Sequence, residues 1–284
     1  MSPLFRRLSP GRRDTYHLVL QSMGIASRLV HRPGGWEIRV PAADRVRATA
    51  AVRRYLSENP PRRSPAYQAA PRLQVSYDGI WMAGILLAVY LNRPGTDPQV
   101  ARTFGAWASR IADGELWRSA TSLLIHGGHL HLVGNMAGMA LFGSAVCGLA
   151  GGGAGVFLIV LSGVIGTWVN ALLHPPDHLA VGASTAVFGA IGILVGRRVI
   201  QRAPRPSGRM RWLVPLGGGL ALLAMLGTAP GVDILAHLFG LLCGMLIAVA
   251  YFRWRPQRLP AGGQAVLLAA TLALLIASWL AAAR

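Results

Sequence analysis

Seven apolar stretches, roughly 75–92, 130–150, 155–173, 183–200, 213–228, 233–252 and 264–283, occupy most of the chain after residue 72. A helix crossing the ~30 Å hydrocarbon core of a bilayer needs about 20 residues, so the first, fourth and fifth are short for spans. Only 13% of the 284 residues are charged and 53% are hydrophobic, whereas soluble domains carry about 25% charged residues. The chain therefore reads as an all-α polytopic membrane protein. Cys147 and Cys243 both fall inside apolar runs, so no disulfide framework is expected.

Charge placement sets the expected topology. Every one of the 28 basic residues is arginine, and the formal net charge is +18. The arginines gather in the N-terminal segment and in two short loops between apolar stretches. That pattern fits positive-inside sorting better than a nucleic-acid-binding stripe, so no nucleic-acid partner is expected. With the N-terminus cytoplasmic and the first stretch spanning, the loop holding Arg197, Arg198, Arg202, Arg205, Arg209 and Arg211 is cytoplasmic too. The loop with Arg253, Arg255 and Arg258 falls on the same side. Without that first span, the N-terminus and the six-arginine loop face opposite ways, so seven spans is the better count. The 92–129 segment, the 174–182 loop, the 229–232 turn and the C-terminus then lie outside. Within the first of these, "VARTFGAWASRIADGELWR" alternates aromatic and charged residues, as a helix lying in the interface does.

Residues 1 to about 72 are soluble in character, and they lack the short apolar core of a signal peptide. "DTYHLVLQSMG" reads as a helix stopped by Gly24. "ASRLVHRP" and "WEIRVPA" read as a hairpin turning at Gly34 and Gly35. "ADRVRATAAVRRYLSEN" reads as a second helix, capped by Asp44 and ended by Pro60 and Pro61. The expected result is a small α-β-β-α module followed by a Pro/Arg linker.

Polar side chains at membrane depth are costly, so each is a functional candidate. "LIHGGHLHLVGNM" supplies His126, His129, His131 and Asn135, "DILAHLFGLLCG" supplies Asp233 and His237, and "VGASTAVFG" supplies Ser184. His131 and Asn135 are four apart and share a helix face. Ser184 lies 13 residues from Arg197, about 20 Å of helix at ~1.5 Å per residue. In a ~30 Å core that leaves the serine about 10 Å below the outer surface. His237 lies about 6 Å into its own span, and Asn135 a similar distance past His129. Three spans thus bring Ser, His, His and Asn to one depth.

A serine hydroxyl needs a base to take its proton, and neutral imidazole is the usual one. Ser184 at a helix N-terminus also has free backbone N–H groups beside it, which suit an oxyanion, and Asn135 and His131 supply side-chain donors. No acidic residue is placed for a full triad, since Asp233 reads as an interface marker. A Ser184–His237 dyad is the economical reading. Gly189, Gly192 and Gly196, with Gly240 and Gly244 beyond His237, form small-residue stripes that let two helices approach closely. His126, His129 and His131 do not carry the HExxH spacing of a zinc site, so neither metal nor cofactor is expected. Trp117 and Arg118 read as an interfacial anchor with a loop-ordering role.

At this point the chain resembles the rhomboid intramembrane serine proteases. The resemblance covers about residues 75–255 and rests on "WR" at Trp117 and Arg118, "HGGHLHLVGN", "GAS" and "AHLFGLLCG". It implies a rhomboid-like six-helix bundle plus a seventh span, with Ser184 as nucleophile and His237 as base. It implies an oxyanion site of His131, Asn135 and the Ser184 N–H, reached through the Gly182 turn. By the same resemblance His126 helps hold the loop structure, and Phe188 packs against the catalytic histidine. The family's G-x-S-G pattern is broken at one position, where Thr185 replaces the second glycine.

The domain organisation expected is a cytoplasmic module and linker over 1–72, a six-span protease core over 73–255 and an additional C-terminal span over 256–284. The expected activity is cleavage of transmembrane protein substrates in the bacterial inner membrane. The active site opens outward, the lipid bilayer is the setting, and the N-terminal module serves to dock a cytoplasmic partner or to regulate. The alternative is a catalytically inactive relative that binds transmembrane helices for quality control or trafficking. A transporter is disfavoured because no inverted repeat or pair of broken helices is evident.

Overall fold

A computed structural model describes residues 1–59, 76–202, 217–221, 233–254 and 258–284. The chain divides into two compact units, Met1–Arg72 and Leu73–Arg284.

The first unit begins with a strand absent from the sequence reading. β1 (Ser2–Leu8) precedes α1 (Pro10–Ser22), β2 (Arg28–Arg32), β3 (Gly35–Val40) and α2 (Arg45–Glu58). The antiparallel sheet has the order β1-β3-β2, so the module is β-α-β-β-α. β1 has no turn-linked partner, and its Arg6–Arg7 pair interrupts apolar alternation, so only its distant pairing with β3 identifies it. The β2–β3 hairpin turns where expected, with Gly34 and Gly35 at φ +99° and +136°, a region open chiefly to glycine. Tyr16 and Leu20 of α1 and Ala48 and Val52 of α2 meet Ile38 and Val40 of β3 in one core. Asp44 makes no side-chain cap bond. It lies in a 3₁₀ turn, Ala42–Asp44, that leads into α2. Pro60, Pro61 and the linker lie outside the described residues.

The second unit is a helical bundle. α3 (Asp78–Asn92) is followed by a segment holding α4 (Pro98–Phe104), β4 (Ala106–Trp107), α5 (Ala108–Ala112) and α6 (Arg118–Thr121). α7 (His129–Gly138) runs through a π-helical turn, Met139–Gly143, into α8 (Ser144–Ala150). Next come α9 (Gly152–Leu172), β5 (Leu179–Ala180) and α10 (Ser184–Arg202). A short helical piece α11 (217–221), α12 (Ile234–Trp254) and α13 (Ala261–Ala282) complete it.

Among the described residues four helices are long and apolar enough to cross a membrane: His129–Ala150, Gly152–Leu172, Ile234–Trp254 and Ala261–Ala282. α3 is apolar but only 15 residues long, and α10 carries Arg197, Arg198 and Arg202 in its last turns. The fifth apolar stretch lies outside the described residues except for α11, as do Arg205, Arg209, Arg211 and Arg255.

α10 and α12 pack backbone to backbone. A Cβ on Gly240 would collide with the Thr185 carbonyl, one on Gly244 with the Gly189 carbonyl, and one on Gly192 with the Leu241 carbonyl. Small-residue stripes in membrane helices permit this approach, and it fixes the depth of Ser184 against that of His237.

The single interfacial helix expected over residues 100–118 is not what forms. Gly105 ends α4, and the chain extends as β4 to pair with β5, placing Ala106 opposite Ala180 and Trp107 opposite Leu179. The pairing extends through Ala108 N–H to the His178 carbonyl at 2.9 Å and Ser109 N–H to the Pro176 carbonyl at 3.1 Å. This ties the segment to the chain entering α10. α13 is held at its two ends. Near one end Gln264 donates to the Ala150 carbonyl at 2.9 Å and accepts from Ala154 N–H at 2.8 Å. Near the other Trp279 stacks on Phe104, with ring centroids 4.4 Å apart.

Candidate active site

Ser184 is the first helical residue of α10. The first bond inside the helix runs from Val187 N–H to the Ala183 carbonyl at 2.9 Å, so Ala183 occupies the N-cap position. The Ser184 hydroxyl is therefore not spent as a cap. Its own N–H belongs to the first turn, whose donors have no partner within the helix.

The turn before it is pinned from two sides. Gly182 N–H donates to the Ser122 carbonyl at 2.9 Å, and Ala183 N–H donates to His126 Nε2 at 3.3 Å. His126 Nδ1 lies 3.3 Å from the Leu124 carbonyl, which only accepts. The network thus assigns the proton to Nδ1 and leaves Nε2 as the acceptor. His126 is fully buried. Burial, with a smaller contribution from neighbouring His131, pushes its pKa down to about 4, which keeps the ring neutral as this role requires. Gly182 has φ +128°. A Cβ there would strike the His131 ring and come within 3.5 Å of Asn135 Nδ2. The turn, His131 and Asn135 are therefore in direct apposition.

Ser184, His237, His131 and Asn135 line one cavity of about 1130 Å³ together with Phe188 and Gly182. His237 is 5% exposed and stacks on Phe188, with ring centroids 4.4 Å apart and planes 21° apart. Asn135 is also 5% exposed, and among the described residues its Nδ2 has no hydrogen-bond partner. A buried donor left unpaired at a cavity wall is uncommon and suits an oxygen arriving with a ligand.

Thr185 is buried and also borders the cavity. Its methyl is directed into the seam between helices, since a Cβ on Gly166 of α9 would fall 2.9 Å from Thr185 Cγ2. Absence of a side chain at Gly166 makes room for the bulk that the second motif glycine would have avoided.

The remaining candidates do not line the cavity. Gly240 and Gly244 form the helix seam. Arg118 is 7% exposed, and its guanidinium donates to the carbonyls of Arg102, Thr103 and Gly105 at 2.7, 3.0 and 3.2 Å. It also donates to the Glu115 carboxylate at 2.6 Å and lies 4.5 Å from the Trp117 ring centroid. Through these bonds Arg118 orders the loop from within.

Three cavity residues were missed or misread in the sequence. Asn170, His178 and Asp233 all border it. Asp233 accepts from Asn170 Nδ2 at 2.6 Å and from His178 Nε2 at 2.9 Å, and it caps α12 by accepting from Ala236 N–H at 3.0 Å. A carboxylate followed by three apolar residues signals a cap, but its partners lie 55 and 63 positions away in sequence.

A largely apolar cavity between apolar helices, with a serine, two histidines and an asparagine at its wall, defines a multi-pass membrane protein with a site embedded in its helices. Residues 113–254, half of the chain, match the Rhomboid domain family, and the chain belongs to the rhomboid family. It is 29% identical over 148 residues to the rhomboid protein YdcA of Bacillus subtilis (strain 168), covering 52% of this chain and 73% of that protein. It is 28% identical over 166 residues to the rhomboid protease GluP of the same organism, covering 56% of this chain but 31% of GluP. It is 31% identical over 172 residues to RHOMBOID-like protein 5 of Arabidopsis thaliana, covering 57% of this chain and 54% of that protein.

Proposed function

We propose that this chain is an intramembrane serine endopeptidase that cuts transmembrane segments of membrane proteins with a Ser184–His237 dyad. The reading rests above all on one observation. Ser184, His237, His131 and the unpaired Asn135 Nδ2 border the same cavity, with Phe188 stacked on the histidine. In this reading His237 takes the Ser184 proton as Oγ attacks the scissile carbonyl, and the oxyanion collects donors from Asn135 Nδ2, His131 and the Ser184 N–H. His237 then returns the proton to the leaving amine, and water admitted to the cavity resolves the acyl-enzyme. The substrate helix must unwind locally to present its carbonyl, so small or helix-breaking residues are expected near the cut.

The same proposal takes seven spans with the N-terminus cytoplasmic, the cavity opening to the outer side of the bacterial inner membrane, and a docking or regulatory role for the N-terminal module. Arginine placement supports this orientation.

The test is labelling by a serine-reactive fluorophosphonate, together with cleavage of a transmembrane reporter in liposomes. Wild type is expected to label and to cleave, and Ser184→Ala and His237→Ala to do neither. Cleavage that persists in both variants would falsify the dyad. A folded wild type that neither labels nor cleaves favours the alternative, an inactive relative that binds transmembrane helices. Thr185 is the one departure in the motif that speaks for that alternative, and its burial against Gly166 weakens the case.

A further inference from the structure

We infer that His174, His178 and Asp233 form a binding site for a divalent metal ion of the zinc type, clasping the chain that enters α10 to the start of α12. His174 Nε2 lies 3.8 Å from Asp233 Oδ1, and His178 Nε2 lies 2.9 Å from Asp233 Oδ2. One ligand atom from each of the three residues fits within 4.8 Å of the others. A tetrahedral zinc with bonds of ~2.0–2.1 Å holds its ligand atoms about 3.3 Å apart, so the observed separations bracket the requirement. Small side-chain rotations close the difference.

The surroundings are those of a prepared ligand set. His174 Nδ1 lies 3.0 Å from the Asn170 carbonyl, which fixes the proton on Nδ1 and turns the Nε2 lone pair toward Asp233. Metal-bound histidines characteristically hand their other N–H to a carbonyl in this way. The His174 and His178 rings are stacked, with centroids 3.9 Å apart and planes 26° apart. Both imidazoles thereby reach the same carboxylate. Asn170 is 1% exposed and donates its Nδ2 to Asp233, while among the described residues its Oδ1 has no partner. When the metal binds, it takes the place of the Nε2 proton that His178 shares with Asp233; that proton passes through solvent to Nδ1, so the ring stays neutral and ligates through its Nε2 lone pair. Imidazole and carboxylate ligands together suit zinc rather than calcium or magnesium.

Position gives the site its consequence. His178 precedes Ser184 by six residues, and Asp233 precedes His237 by four. Bound metal therefore cross-links the two stretches that deliver the proposed nucleophile and base. The inference does not depend on that catalytic reading, and the experiment is done in a Ser184→Ala background so that the two fail separately.

The test uses the full chain in detergent, purified without a polyhistidine tag and titrated with Zn²⁺ by calorimetry. One saturable site is expected. His174→Ala and His178→Ala should each weaken it at least about ten-fold, the scale seen when even the supporting shell of a metal is disturbed. Asp233→Asn keeps an oxygen to cap α12 but loses the charge, so this variant should fold and still bind zinc weakly. His129→Ala should bind as the parent does. Zinc at about a hundred times the parent's Kd should raise the parent's unfolding midpoint by roughly 5 °C and that of Asp233→Asn by clearly less. An absence of saturable binding, or equal binding by the parent and all three ligand variants, overturns the site.

Discussion

α12 and α13 are close to indistinguishable in length and hydropathy and differ in what they do. They run 21 and 22 residues, with mean hydropathy 2.2 and 2.3 over an 18-residue stretch of each, yet 33% of that stretch is buried in one and 11% in the other. α12 is sunk into α10 along a glycine seam and carries His237 into the cavity. α13 lies against α9 and is secured near its ends, by Gln264 at one and Trp279 at the other. Hydropathy places a helix in the bilayer, and the position of its small residues decides how deeply it enters the bundle. In lipid no hydrophobic force draws helices together, so close packing must do that work.

The contrast is breakable, and the largest effect is expected where the backbones touch. Gly240→Val drives a branched side chain into the Thr185 carbonyl. It should cost more than about 3 kcal/mol and abolish fluorophosphonate labelling, because overpacking here cannot relax into a side chain. Unfolding in mixed micelles, monitored beside labelling, checks it. If Gly240→Val labels like wild type, the seam is not what sets the site.

The pH response tests the other support of the site. His126 has a folded pKa of about 4 against 6.5 in the unfolded chain. Its contribution is thus fully present above pH 6.5 and is lost as the pH falls toward 4, because the unfolded chain takes up a proton that the folded one refuses. The difference amounts to about 3 kcal/mol. His126→Gln should flatten that part of the profile of unfolding midpoint against pH. An unchanged slope in His126→Gln would assign the acid sensitivity elsewhere.

A smaller effect is expected at Thr185. Gly166→Ala should destabilise the protein by about 1–2 kcal/mol with Thr185 present, and by somewhat less in Thr185→Gly, where the Gly240 backbone at 3.0 Å still crowds the new methyl, so a double-mutant cycle reads the threonine's share. Additive costs would mean that Gly166 does not accommodate the threonine. The smallest change belongs to α13. Trp279→Ala removes the stack on Phe104 and should cost about 1 kcal/mol while leaving the labelling rate within about two-fold. A large loss of labelling there would erase the distinction between the two helices.

Much of this was legible in the sequence, for reasons that also explain the failures. Ser184, His237, His131 and Asn135 announce themselves because polar groups in apolar runs are conspicuous, and helix rise alone brings them to one depth. Phe188 and His126 came through the family resemblance, and the structure places one on the His237 ring and the other on the Ala183 N–H. What escaped was long-range. β1 exists only through its pairing with β3. The 100–118 stretch reads as one interfacial helix until β5 is there to take up Ala106 and Trp107. Asp233 reads as a boundary until His174 and His178 close on it. Thr185 reads as an intrusion until Gly166 is seen facing it on another helix.

The π-helical turn at Met139–Gly143 has a consequence for how the second apolar helix serves two neighbours. A turn with one extra residue works as a phase shifter, rotating everything beyond it by about 100° relative to an unbroken α-helix. Before the turn His131 and Asn135 look into the cavity, and beyond it Val146 and Cys147 are sealed in the core. α3 docks at the turn itself, where Gly79 lies against the Met139 carbonyl and Ser144. Deleting a single residue from 139–143 would leave composition and length almost unaltered, yet it would swing one half of the helix out of alignment with the other. The cavity-facing side chains and the core contacts are aligned by a dislocation in the helix lattice, and its removal would force the protein to give up one of the two.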